Sequence, residues 1–349
     1  MPHDGRPSLS PAGTPTVDWV VTTQDAAWQV QPPLATTPFV GAFDVVISPD
    51  APRHTIDGFG GCFNELGWDA LSMLTDGERE AILRDFFAPG VGLNLSLCRM
   101  PVGANDFSRD WYSYDETPGD LALADFSIAQ DRATLVPFIH AAAAHQPALR
   151  LWASPWSPPT WMKTNDHYAG AMPWPGSGVD NGLRTDQVGA EGTDMFRVEE
   201  PYLAAYAEYF ARFVEAYRAE GIAVEMVMPQ NEFNSAQPFP SCTWTPAGLA
   251  RFVAHLGPRM DALGVRVFLG TLERPDAAMV EAVLDDPAAG RWVTGAGLQW
   301  AGKGAIAALH HNRPDLTLFQ TEQECGDGKN SWRFARHTWN LMRHFIGNG

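Results

Sequence analysis

The sequence predicts an α/β fold, a (β/α)8 TIM barrel incomplete at its C-terminus, because three observations agree. Short β-type runs alternate with amphipathic stretches from residue 43 onward, the pattern of repeated βα units around a parallel sheet. Two of the runs end in a glutamate, Glu232 and Glu322, and in such barrels the reacting groups sit at the carboxyl ends of strands. No G-x-G-x-x-G opens a helix after the first run, so a doubly wound sheet would lack its dinucleotide signature.

The elements can be placed in order. Residues 1 to about 40 are rich in Pro, Thr and Ala without a lasting helical period, and read as an irregular lead-in with at most a strand. With an outer strand at 43–47 (FDVVI) they form a short N-terminal β extension, 1–50, ahead of a barrel domain over 51–349. IDGFGGCF at 56–63 is the first barrel strand, opening into a turn whose glycines suit close backbone packing better than a phosphate cradle. A helix over 69–87 precedes strands at 92–100 (GLNLSLCRM) and 148–154 (ALRLWAS), separated by a helix near 128–145 whose alanine run is a good helix former. A long loop over 155–198 leads to a helix over 202–220 and to AVEMVMPQNE at 223–232, the fourth strand. VRVFLGT (265–271), VTGAGLQW (293–300) and LTLFQTE (316–322) repeat the strand signal, with helices near 246–263, 276–285 and 331–346. Seven βα units are thus countable, and the eighth is expected to be missing, leaving unpaired strand edges.

Composition narrows the function classes. An apolar fraction of 45% over 349 residues supplies the core of one large domain or two modest ones. The formal charge of −17 repels nucleic-acid phosphates and anionic membrane surfaces, so nucleic acid is excluded and a neutral or cationic small molecule is the expected partner. No stretch is apolar enough to span a bilayer and the start lacks a secretory pattern, which points to a soluble, cytoplasmic location. Cys62, Cys98, Cys242 and Cys325 show no C-x-x-C pairing and read as buried free thiols. His310 and His311, with His54 or His140, do not share a helical face; the pair reads as a cap on a surface helix, and no metal or cofactor is expected.

The 13 tryptophans are more suggestive. Trp156, Trp161, Trp174, Trp244 and Trp332 lie in loop-like stretches, where they either pack under the loops or offer flat faces for a pyranose. Two carboxylates at one rim are what glycoside hydrolysis needs, one to protonate the glycosidic oxygen and one to attack or to activate water; a separation near ~5 Å would mean retention.

The motifs IDGFGGCFNE (56–65), CRMPVGANDFS (98–108), YDETPGD (114–120), WASPWSPPTWMKTN (152–165), PQNEF (229–233) and QTEQECGDG (320–328) run in order over nearly the whole chain. In these the chain resembles glycoside hydrolase family 30, whose members include glucosylceramidases, β-glucosidases, β-xylosidases and β-1,6-glucanases. The resemblance implies a retaining β-glycosidase acting on a small-molecule or glycolipid β-glucoside, with Glu232 as acid/base and Glu322 as nucleophile. It further implies that Asn231 meets the sugar's 2-hydroxyl and that Arg99 lies beside Glu322, where a fixed cation separates the pKa values of the two carboxyls. Asp106 and Phe107 would hold the far hydroxyls and Trp156 would stack on the sugar, while Trp244, Trp300 and Trp332 either extend the wall or pack. Glu324 shares a face with Glu322 by the period-two rule, and Glu322 is preferred because it directly follows the small residue Thr321. A β-xylosidase, a β-1,6-glucanase or an inactive carbohydrate-binding remnant are the alternatives. The family also carries an eighth strand and a C-terminal β-sandwich that this chain is expected to lack.

Overall fold

The computed structural model describes residues 16–36, 41–42, 45–323, 329 and 331–348. The chain divides into two units, Met1–Thr55 with Gly326–Asn340, and Ile56–Cys325 with Leu341–Gly349. In the first, β1 (Thr16–Val17) pairs antiparallel with β4 (Leu34–Ala35), and β2 (Val20–Val21) with β3 (Gln29–Val30). The outer strand expected at 43–47 does not form over 45–47, and its first two residues lie outside the described residues.

The second unit holds a six-stranded parallel sheet whose strands pair in chain order, and the chain lays it down as βα units. After α1 (Glu65–Ser72) and α2 (Asp76–Phe87) come β5 (Leu97–Pro101), α3 (Ala129–Ala133), α4 (Leu135–His145) and β6 (Arg150–Ser154). Then follow α5 (Glu200–Ala219), β7 (Met226–Val227), α6 (Pro246–Leu263), β8 (Arg266–Leu272), α7 (Ala277–Asp285), β9 (Val293–Gln299), α8 (Ile306–Asn312) and β10 (Thr317–Glu322), and α9 (Trp332–Gly347) is divided between the two units. This is an incomplete (β/α) barrel.

The sheet differs from the expected seven strands at its first member. The run 56–63 lies alongside β5, joined by Arg99 N–H to Gly61 O (2.9 Å), Phe63 N–H to Arg99 O (2.9 Å) and a parallel bridge at Cys62, without becoming a regular strand. Glycine explains the irregularity: a Cβ on Gly60 would come within 1.7 Å of the Leu97 carbonyl oxygen, so the backbones pass closer than strand pairing with side chains allows. The helix expected over 69–87 is likewise two helices. Asn64 caps α1 by accepting the Gly67 N–H (2.7 Å), and Thr75 and Glu78 form a capping box that restarts the chain as α2. The short α8 carries the exposed His310 and His311 in its last turn, in keeping with the reading of that pair as the cap of a surface helix.

Inside the curve of the sheet, Leu97, Trp152, Met226, Met228 and Phe268 form an apolar plug, with Phe319 packed against it. Gly295 and Gly297 make its space, since a Cβ at either would lie 2.3 Å from the Phe268 ring or 2.6 Å from Met228 Sδ. Two residues beyond Leu97 and Trp152, the same faces of β5 and β6 carry Arg99 and Ser154, so the interior turns polar toward the carboxyl ends of the strands. The larger core lies between sheet and helices, where α5 buries Leu203, Tyr206, Phe210, Phe213 and Tyr217 at helical spacing.

The long loop over 155–198 is tied down rather than free. Lys163, fully buried, donates to the carbonyls of Tyr168 (2.6 Å) and Ser241 (2.7 Å), joining this loop to the one that follows β7. Asp194 accepts from the Thr245 N–H (2.7 Å) at the start of α6. Among the described residues Cys62, Cys98 and Cys242 are free thiols, with Cys62 exposed rather than buried; Cys325 lies outside them. No described helix is long and apolar enough to cross a membrane.

Candidate active site

Six elements deliver polar side chains to one place. Arg99 comes from β5 and Ser154 from the end of β6; Asn231 and Glu232 follow β7. Thr271 belongs to β8, Gln299 closes β9 and Glu322 closes β10. Period-two alternation puts Phe319 inward together with Thr321, which would turn Glu322 away. A register shift between Gln320 and Glu322 corrects this, so that Glu322 faces Gln299 across the ladder. Such bulges re-aim a side chain at the rim of a sheet.

Arg99 organises the centre. It is 3% exposed, and its guanidinium reaches Glu322 Oε2 (2.7 Å), Asn231 Oδ1 (2.6 Å) and Ser154 Oγ (2.8 Å). Its face lies 4.0 Å from the Trp156 ring centroid and 4.9 Å from that of Trp152, an arrangement a planar cation favours in a desolvated setting. Glu322 is held at its other oxygen by the Trp300 indole N–H (3.0 Å).

Glu232 is 3% exposed and stands in left-handed backbone at φ 50°. For a residue with a Cβ that conformation costs about 1 kcal/mol or more, and Thr271 holds it by accepting the Glu232 N–H at its hydroxyl (2.8 Å) and the Phe233 N–H at its carbonyl (3.2 Å). Burial, and next the charge of Glu322, push the Glu232 carboxyl up to about 8. Its Oε2 has no hydrogen-bond partner among the described residues. Gln299 Nε2 lies 3.2 Å from Glu232 Oε1 and 3.4 Å from Glu322 Oε2. These two oxygens can therefore be no farther apart than those lengths laid end to end, which is compatible with the ~5–5.5 Å between the carboxyl groups of a retaining pair.

The other expected residues fall in different places. Asn231 has Oδ1 engaged by Arg99, Thr271 (3.2 Å) and Gln299 (3.1 Å), which leaves its amide nitrogen to meet a ligand. Asp106 keeps solvent contact, yet the protein mass around it, and then the charge of Glu322, raise its carboxyl to about 6. Phe107 is exposed. Trp156 is buried with a face against Arg99, and Trp300 is partly exposed. Trp161 donates to the Asp115 carbonyl (3.0 Å), and Trp244 is sealed against Phe196 and Phe252, so these two pack rather than line a wall. Trp174 is exposed beside Phe239, Trp332 falls in the unit that contains Gly326–Asn340, and Glu324 lies outside the described residues.

Ser154, Thr271 and Gln299 escaped the sequence reading. Ser154 and Thr271 each end a run expected as a strand, the same signal that singled out Glu232 and Glu322, and applying it to every strand rather than to carboxylates alone would have found them, whereas Gln299 stands one residue before the expected end at Trp300. Among the described residues no group of three or more His, Cys, Asp or Glu is arranged to hold a metal.

The sequence profile described as the glycosyl hydrolase family 30 TIM-barrel domain matches residues 56–343. The mouse lysosomal acid glucosylceramidase is 28% identical over 295 residues, covering 80% of this chain and 53% of that protein. An endo-1,6-β-D-glucanase of Neurospora crassa is 28% identical over 198 residues, 56% of this chain and 37% of the other. The crystal structure of SrfJ from Salmonella typhimurium superposes with a TM-score of 0.76 at 24% identity, over 91% of this chain and 69% of that one, a likeness of fold. The chain spans about half the length of the curated glucosylceramidases it matches.

Proposed function

Because the chain belongs to glycosyl hydrolase family 30, we propose that it hydrolyses a β-glucoside with retention, through a covalent glycosyl-enzyme. Glu322 attacks the anomeric carbon as Glu232 gives its proton to the departing glycosidic oxygen, which keeps the electron pair of the broken bond. Water then gives a proton to Glu232 as its oxygen attacks the same carbon, and the Glu322 ester is released. Asn231 meets the 2-hydroxyl, and Asp106 and Phe107 stand at the far side of the sugar.

The observation that carries this reading is the single Gln299 nitrogen within hydrogen-bond range of both carboxyls, together with the raised proton affinity of Glu232, the one expected to donate. Glucose is favoured as the sugar by the match to glucosylceramidases. An activated 2-deoxy-2-fluoro-β-glucoside tests the assignment, since it forms the ester but releases it slowly. Mass spectrometry of the digest should find the sugar on Glu322; a label on Glu324, or first-formed glucose of α configuration by proton NMR, would overturn the reading. A β-1,6-glucanase is the second reading, favoured by the Neurospora relative. Release of gentiobiose from a β-1,6-glucan faster than glucose from aryl β-glucosides would decide for it.

A further inference from the structure

Gln299 is fully buried, and the orientation of its amide is determined by its neighbours. Asn231 Oδ1 accepts from Arg99 Nη2, so it is an oxygen, and Gln299 must present its nitrogen to it (3.1 Å). At the opposite end the Thr321 hydroxyl is shared as a donor between Gln299 Oε1 (3.0 Å) and the Leu298 carbonyl (3.1 Å). The same nitrogen therefore points at Glu232 Oε1 and Glu322 Oε2; a flipped amide would set its oxygen against three others.

We propose that Gln299 is a positioning residue that confines the proton of Glu232 to Oε2. A proton on Oε1 would meet the Gln299 N–H head to head, whereas Oε2 is buried and has no partner among the described residues. Without the amide, the carboxyl proton exchanges between two oxygens instead of being held on one. The inference rests on the reading of Glu232 as the acid and adds the atom from which it donates.

The charged groups that act on Glu232 are Glu322 of β10, Glu273 and Arg274 after β8, and Arg99 of β5. The two carboxylates oppose its ionisation and the arginines favour it. Gln299 is the neutral donor that favours the ionised form, so its removal should raise the proton affinity of Glu232 further.

Two nearly isosteric variants of the full chain test this. Gln299→Met removes the N–H, and Thr321→Val removes the hydroxyl that aims it. In protein carrying 13C-labelled glutamate carboxyls, the Glu232 resonance is identified by its loss in Glu232→Gln, and its titration midpoint should rise in Gln299→Met and by a smaller step in Thr321→Val. In turnover, kcat/KM for an alkyl β-glucoside should fall about tenfold more than for a dinitrophenyl β-glucoside, whose leaving group needs no proton. An unmoved midpoint, or equal losses on both substrates, overturns the proposal; if Gln299→Met fails to fold, Thr321→Val carries the same readouts. The titration needs no turnover, so a wild-type chain without glucosidase activity would sink the proposed function and still leave the proton assignment to be decided.

Discussion

The chain buries Asp131 and Glu232 almost equally, and treats them in opposite ways. Asp131, on α3, is wholly enclosed and accepts three phenolic hydroxyls, from Tyr112 (2.5 Å), Tyr114 (2.6 Å) and Tyr217 (2.5 Å). Burial raises its carboxyl to about 6, and the three donors pull the other way. Glu232 receives one amide, faces another carboxylate, and keeps an oxygen without a partner among the described residues. Native interiors rarely leave polar atoms unsatisfied, so the difference separates two uses of a buried acid. Asp131 is an anchor joining the loop after β5 to α5; the incomplete set at Glu232 suits the donor role proposed for it, because a proton donor with every position taken cannot serve a substrate.

The contrast can be broken most decisively at the carboxyl opposite Glu232. Glu322→Gln should lower kcat on aryl β-glucosides by about 10⁴-fold or more while the unfolding curve hardly moves; retained turnover would remove Glu322 from the reaction. Glu232→Ala should cost ~10²–10⁴-fold on substrates with poor leaving groups and far less on dinitrophenyl glycosides, with azide restoring turnover as a glycosyl azide. A uniform loss across leaving groups would make Glu232 an anchor like Asp131.

Asp131→Asn should do the reverse. Leaving three phenols around a neutral amide is expected to cost about 2–4 kcal/mol, read as a lowered denaturant midpoint, with kcat of the folded fraction within a few-fold of the parent. If kcat collapses while the midpoint holds, the division between anchor and acid is wrong.

The smallest effect is on pH. Glu232 must carry a proton to donate it, so kcat/KM should decline as pH rises through about 8. Stability follows the same group: its folded pKa lies above the ordinary 4.5, so its contribution is complete below about 4.5 and is lost as pH climbs through about 8. Glu232→Gln should flatten the stability profile across that window, measured by urea midpoints at a series of pH values.

The βα periodicity and the strand-end position of Glu322 could be read from residue order alone, because alternation and turn chemistry are local, whereas Glu232, expected at the end of a strand over 223–232, stands in a turn beyond the short β7. Helix boundaries at Thr245 and Gly264 are local for the same reason: a hydroxyl accepts the N–H of Gly248, and a glycine ends α6 at φ 70°. What residue order could not supply were facts of contact between distant segments. The register shift that turns Glu322 inward depends on how β10 meets β9. The covering of Trp156 by Arg99, the stacking of Trp244 on Phe196, and the amide of Gln299 between two carboxyls each join residues tens of positions apart. Such contacts exist only once the sheet has brought the strand ends together, since hydrogen bonds and ring packing act over a few ångströms of space whatever the separation along the chain.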